Sequence, residues 1–338
     1  MQKSLNHLAA IHEWARRYFC NDFVLEKTNS GINNDVYIVK TDNGTVILKY
    51  FPEKRTYPDR FNAEFQLLTL ANKLSPEHVP KLIKHDKSSR IMILEFIEGK
   101  QYTKTNRPTG NDIDCSIQFY KQINSDIDFC RKTVTQFATD YFPSLQEHIN
   151  HIDGRIKTLS DEQVSRTLKQ PIKSCLSLLR SRWKETKKNI AKNYPVSFVS
   201  QSICKEDLQI SPSDFGFHNA LQTKNGPVFF DFEFSGWDDP AKTVVDFFLQ
   251  PKVPIEKSYF NVVAKEFCLR LKKSELINRI DCLNSILRIK WLCIILNILN
   301  KNRRKEMEHT VQNFDTIIEE RLEFVQKILE EKKTFGIY

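Results

Sequence analysis

The hydrophobic period of this 338-residue chain changes near residue 100, and that change limits the folds open to it. Before it, apolar residues recur at the two-residue spacing of strands. Val36 and Ile38 point one way, with Val24 a further candidate, and a second run spans Val46 to Phe51. Between the runs, Thr41-Asp42-Asn43-Gly44 reads as a hairpin turn. Ala63 to Leu74 is helical, with Phe65, Leu68 and Ala71 on one stripe, and Ile91 to Ile97 is a β-rich run halted by Glu98-Gly99. An amphipathic helix over 5–19 opens the chain, with Leu8, Ile11, Trp14, Ala15 and Phe19 near one face.

Residues 100–112 are polar and contain Pro108 and Gly110. Beyond them the period is helical, over 112–124, 128–139, 143–159 and 161–193, and again from Tyr259 to Lys333. One short β segment, 217–233, interrupts. The expected fold is α+β in two lobes. Residues 1–99 form a small β-rich lobe and 100–338 a larger, mainly helical one.

Charge and cysteines narrow the function classes. The net charge of +9 comes from Lys and Arg scattered along helices among Glu and Asp. No RNA-binding aromatic signature or zinc-finger spacing accompanies them, so a nucleic-acid partner is not expected. The surface is biased toward phosphates. None of the eight cysteines forms a CxxC pair. Most sit among apolar residues at helical spacing and read as buried free thiols, which favours a reducing cytoplasm. Met1 to Ala10 lacks the apolar core of a signal peptide. The longest apolar run, Trp291 to Ile295, is too short for a bilayer even when extended to Leu299, so no stable membrane insertion is expected.

The segment richest in chemistry runs from Ser211 to Glu233. Asn225-Gly226 is a strong hairpin signal. With a three-residue loop, Asn219 faces Asp231; with a two-residue loop the register moves by one and they are near neighbours. Opposed residues in such a ladder lie about 5 Å apart, a gap one divalent ion can bridge. Magnesium takes oxygen ligands and keeps water, so one amide oxygen and one carboxylate suffice when phosphates complete its shell. Phosphoryl transfer needs one more carboxylate, to orient a hydroxyl and accept its proton. Asp214, five residues before Asn219, can supply it from the preceding loop. The D-x-x-x-x-N spacing is that of the protein-kinase catalytic loop. Taken singly, Asp214 and Asn219 also read as turn or cap residues, and Asp231 as a polar strand end.

Together these residues resemble the catalytic region of the aminoglycoside phosphotransferase and choline kinase-like family. Asp214, Asn219, Asp231-Phe232-Glu233, Gly236, Asp239-Pro240 and Asp246 follow its pattern. The resemblance implies a protein-kinase-like fold, ATP and Mg2+ as cofactors, and phosphorylation of a small-molecule hydroxyl. It makes Asp214 the catalytic base or orienting group and Asn219 and Asp231 the metal ligands. Asp246 becomes a structural residue tying the catalytic loop to the next helix. Ser30-Gly31-Ile32-Asn33-Asn34-Asp35 resembles the phosphate-covering hairpin, with Gly31 and Asn34 at the nucleotide. Lys49 resembles the phosphate-contacting lysine, although alone it also reads as an exposed strand lysine. Glu64 can pair with it. Leu94-Glu95-Phe96-Ile97 resembles the hinge, where the Glu95 carbonyl and Ile97 amide would meet adenine.

The sequence also departs from the family. The usual His-Gly before the catalytic Asp is Pro212-Ser213, and the common His two residues after it is Gly216, with a His at 218 instead. Neither change removes a group that phosphoryl transfer requires. The expected function is an ATP- and magnesium-dependent phosphotransferase, its acceptor a sugar or saccharide precursor by family breadth. An amino alcohol or aminoglycoside is next, although Asp161, Glu162 and Glu206 form no visible acidic pocket for a polycation. A nucleotide-binding protein without turnover is the alternative. A protein kinase is disfavoured, because no Ala-Pro-Glu element follows Asp231.

Overall fold

The computed structural model describes residues 2–20, 22–28, 34–52, 59–162, 164–268, 273–300 and 313–330. Two compact units emerge. One is Met1–Thr139 with Ile210–Asp238, the other Asp140–Gln209 with Asp239–Tyr338. The architecture is mixed α+β, with an N-terminal antiparallel sheet and a larger helical part. This partition differs from lobes meeting at residue 100: 100–139 and 210–238 group with the strands.

The first unit opens with α1 (Gln2–Phe19) and the strands β1 (Phe23–Lys27), β2 (Asp35–Thr41) and β3 (Gly44–Tyr50). Then follow α2 (Arg60–Leu74), β4 (Leu82–Asp86), β5 (Ile91–Glu95), β6 (Lys100–Gln101), α3 (Gly110–Ile123) and α4 (Ile127–Thr133). The antiparallel sheet has the order β1-β2-β3-β5-β4. Its hairpin closes at Thr41 opposite Gly44, as the turn residues require, and Gly44 takes φ +123°. Tyr37, Val39, Leu48, Ile91 and Ile93 cover Ile11 and Ala15 of α1. The strand β4 was not expected. Its sequence, Leu-Ile-Lys-His-Asp, is largely polar and exposed, and only pairing with β5 makes it a strand.

Helix α4 is shorter than the expected 128–139. It stops at Thr133 because the following backbone is taken up elsewhere. The Ala138 amide donates to the Trp237 carbonyl at 3.0 Å, and the Trp237 amide to the Gln136 carbonyl at 3.0 Å. The approach demands glycine at 236, where a Cβ would lie 2.4 Å from the carbonyl carbon of Phe137. The unit is completed by β7 (Gln209–Ser211), β8 (Ala220–Thr223), β9 (Gly226–Phe229) and β10 (Gly236–Asp238). Strands β6, β8 and β9 form a small antiparallel sheet. Phe119 of α3 holds this region down, its ring centroid 5.2 Å from Phe229, 5.7 Å from Phe215 and 6.1 Å from Phe232. Aromatic pairs of this kind add about 0.5–1.5 kcal/mol each beyond the area they bury.

The second unit is helical: α5 (Leu145–Thr158), α6 (Arg166–Asn193), α7 (Val196–Ser200), α8 (Pro240–Leu249), α9 (Phe260–Phe267), α10 (Lys273–Ile295) and α11 (Phe314–Glu330). Every residue of α8 is buried, capped by Asp239, whose carboxylate accepts from the Ala241 amide at 2.9 Å. Asp246 accepts from Lys290 Nζ at 2.6 Å and from Trp291 Nε1 at 3.0 Å, with Lys242 Nζ at 3.4 Å. These bonds tie α8 to α10. The segment Leu276–Leu299 is long and apolar enough to cross a membrane by length and composition, which corrects the expectation that no such stretch exists. Polar Asn284, Arg288 and Lys290 break the run in the sequence, and 67% of its most apolar part is buried inside the protein.

Candidate active site

Lys49 lies on β3, between Val36 of β2 and Met92 of β5, and is only 5% exposed. It is therefore not a solvated strand lysine. Its ammonium meets Glu64 of α2, itself 1% exposed, at 2.7 Å from both carboxylate oxygens. Helix α2 is set by its cap: Asp59 accepts from the Phe61 amide at 3.0 Å and is gripped by Arg90 at 2.7 Å. The Lys49 ammonium also reaches Asp231 Oδ1 at 3.0 Å. Burial by itself would lower the Lys49 pKa, but Asp231 and Glu64 outweigh it and hold the ammonium above its usual range. Burial pushes Glu64 up to about 7, against the pull of Lys49.

Asn219 and Asp231 come together through the β8–β9 hairpin. Thr223 pairs with Gly226, so the loop is the two-residue Lys224-Asn225. Of the two registers open to the sequence, the shorter loop holds. Asn219 then faces Phe230, whose amide donates to the Asn219 carbonyl at 2.9 Å, and Asp231 follows one residue on. Asp231 takes φ +65°, a left-handed conformation uncommon outside glycine. Strain of this kind clusters at functional sites.

The Asp214 loop has the same feature. Ser213, at the position where the family commonly has glycine, takes φ +67°. It is held by its amide donating to Ser211 Oγ at 3.0 Å and its hydroxyl donating to the Thr139 carbonyl at 3.3 Å. Asn219 Nδ2 donates to the Asp214 carbonyl at 3.0 Å and to Asp214 Oδ2 at 3.3 Å. That leaves Oδ1 as the side-chain amide atom that these two bonds do not use.

Asn34 reaches the same segment from the start of β2. Its amide donates to Glu233 Oε2 at 3.0 Å, and both residues are buried. Gly31 lies outside the described residues. Glu95 ends β5 opposite Val46, its amide donating to the Lys81 carbonyl at 2.9 Å. Ile97 sits in the irregular stretch that follows β5. Lys49, Glu64, Asp231, Asn34 and Asp214 with Asn219 thus fall within one unit.

Sequence reasoning assigned no site role to three residues that touch these groups. Glu233 receives Asn34. Ser235 donates to the Ala63 carbonyl at 2.9 Å, beside Glu64. His218 Nε2 lies 3.2 Å from Asp214 Oδ1. Glu233 was visible as part of Asp231-Phe-Glu233, and His218 as a histidine out of its familiar place. Nothing local marks Ser235.

A magnesium ion fits this donor set. Among the described residues no three His, Cys, Asp or Glu side chains gather as a metal cage. One amide oxygen and one partly exposed carboxylate are a poor cage but suit an ion that arrives with phosphates and water.

With this geometry in hand, comparisons place the fold. A family model described as the phosphotransferase enzyme family matches residues 24–122, which include Lys49, Glu64, Glu95 and Ile97. Among solved structures, choline kinase from Cryptosporidium parvum Iowa II aligns at 13% identity and TM-score 0.56, over 96% of this chain and 97% of that one. Choline kinase LicA from Streptococcus pneumoniae aligns at 15% identity and TM-score 0.55, over 96% and 99%. Spectinomycin phosphotransferase, in complex with ADP and spectinomycin, aligns at 13% identity and TM-score 0.60, over 94% and 97%. No curated protein matches the sequence. The chain has the bilobal kinase-like fold, and its N-terminal third carries the pattern of the phosphotransferase enzyme family.

Proposed function

We propose that this chain, with a kinase-like fold and a phosphotransferase-family N-terminal third, is an ATP- and magnesium-dependent phosphotransferase acting on a small-molecule hydroxyl. The observation that carries this reading is the buried Lys49 ammonium, held at 2.7 Å by Glu64 and at 3.0 Å by Asp231. A lysine so placed is fixed for phosphate contact, and residues 1–99 serve as the nucleotide-binding lobe, with Gly31, Asn34, Glu95 and Ile97 at the nucleotide. Asn219 Oδ1 and Asp231 are the ligands for magnesium, which when bound neutralises charge on the phosphates.

Asp214 orients the acceptor hydroxyl and takes its proton. The acceptor oxygen bonds to the γ-phosphorus as the bond to the bridging oxygen breaks, and ADP leaves. One Asp214 oxygen already accepts from Asn219 Nδ2 at 3.3 Å, and the other lies 3.2 Å from His218 Nε2. A sugar or saccharide precursor is our first acceptor class, since the net charge of +9 disfavours a polycation. Amino alcohols and aminoglycosides come next, and the fold is shared with a choline kinase and a spectinomycin phosphotransferase.

The test is ADP release from ATP against sugars, amino alcohols, aminoglycosides and nucleosides, with and without magnesium. Magnesium-dependent release stimulated by one class supports the reading. Tight nucleotide binding with no release under any condition would leave the inactive, nucleotide-binding alternative.

A further inference from the structure

The turn that presents Asp214 carries a feature the proposed reaction does not by itself require. Residues Phe217–Asn219 form one turn of 3-10 helix, closed by the Asn219 amide donating to the Gly216 carbonyl at 3.0 Å. Phe217 anchors its middle. Its side chain is 1% exposed, with its ring 5.0 Å from Tyr102 and 5.9 Å from Phe229. With that anchor buried, the next two side chains fall on Asp214 from the same turn. His218 meets Oδ1 at 3.2 Å, and Asn219 meets Oδ2 at 3.3 Å.

The surroundings of His218 define what it can do. Its side chain is only 4% exposed. Its second ring nitrogen, Nδ1, is buried and has no hydrogen-bond partner among the described residues. A proton on Nδ1 would be left without an acceptor, while the Nε2 lone pair would face a carboxylate. Both are unfavourable, so the tautomer with its proton on Nε2, beside Asp214, suits these surroundings better. A buried Nδ1 also cannot touch an acceptor hydroxyl.

We propose that His218 is a positioning residue whose buried ring sets Nε2 against one oxygen of Asp214 while Asn219 holds the other. The proposal rests on the phosphotransferase reading for its kinetic consequence, but not for the contact itself. One hydrogen bond from Asn219 and one close contact from His218 together limit the rotation of the carboxylate about its terminal bond. Without His218, Asp214 Oδ1 loses this neighbour, while Oδ2 keeps the Asn219 amide. Misplacing a reacting group by about 1 Å can cost around 100-fold in rate.

The test uses the full chain and two readouts. The first is kinetics with magnesium-ATP, following ADP release with the best acceptor from the screen, or with water as acceptor. His218→Phe should lower kcat by about 10–100-fold while KM for ATP stays within about threefold, because the ATP groups are untouched. His218→Gln, which carries a donor at similar reach, should recover much of that loss. Wild-type kcat in His218→Phe would overturn the proposal. So would an equal fall in kcat and thermal stability in both variants, the signature of a merely structural residue.

The second readout is nitrogen-15 NMR of histidine-labelled protein, with His218→Phe to assign the signal. The His218 ring should be protonated on Nε2, and its resonances should move in Asp214→Asn. A proton on Nδ1, or no response to Asp214→Asn, would overturn the contact. If wild-type protein releases no ADP under any condition, the phosphotransferase reading falls while the NMR still decides the contact.

Discussion

Lys49 and Glu64, fifteen residues apart, form a buried ion pair in which the ammonium sits 2.7 Å from both carboxylate oxygens. The pair joins a central strand to the helix beside it. Neither charge is easily kept without the other, because an unpaired charge in this environment has lost its water.

Replacing one partner should therefore be worse than replacing both. Lys49→Met leaves Glu64 buried and unpaired and should destabilise the fold by about 3–5 kcal/mol in urea titration. Adding Glu64→Leu should recover most of that loss without restoring phosphoryl transfer. Equal stability of the single and double variants would mean the pair is not the structural link described.

Burial places Glu64 in the folded protein at about 7, above its ordinary 4.5. A raised value means the folded state holds the proton more tightly than the unfolded chain. The stabilising contribution is full below about 4.5 and is lost as pH rises through about 7. The stability of the wild type relative to Glu64→Gln should thus fall across that window, as read by denaturation midpoints at a series of pH values. A difference independent of pH would show that Glu64 is ionised throughout.

Asp214→Ala should remove transfer, at least about 100-fold in kcat, and leave ATP binding nearly intact. Activity equal to wild type would end the role assigned to it. Asp231→Ala should weaken nucleotide binding mainly when magnesium is present. Unchanged magnesium titrations by calorimetry would remove it as a ligand.

Gly236→Ala tests the joint between 136–138 and 236–237. The new Cβ would lie 2.4 Å from the Phe137 carbonyl carbon and 2.5 Å from the Ala138 amide nitrogen, both backbone atoms that cannot swing aside. A loss of about 1–3 kcal/mol is expected, with chemical denaturation as the readout. The joint lies within the unit that carries Asp231, so nucleotide affinity should fall with stability. A neutral substitution would show that the two backbones can part at little cost.

Much of this protein was determined by its sequence alone, where the information is local. The β2–β3 hairpin, the helix carrying Glu64, the Asp214-to-Asn219 spacing and the hairpin before Asp231 follow from period and turn chemistry over a few residues. Lys49 could be placed on a strand, but its surroundings could not, since a strand's two faces differ only by what packs on them. Only the tertiary structure put Lys49 against Glu64 and Asp231, and Asn34 against Glu233 from 199 positions away. It also made β4 a strand and ended α4 early. Those outcomes depend on backbone groups whose partners lie far along the chain, and a backbone amide carries no side-chain signature of its distant partner.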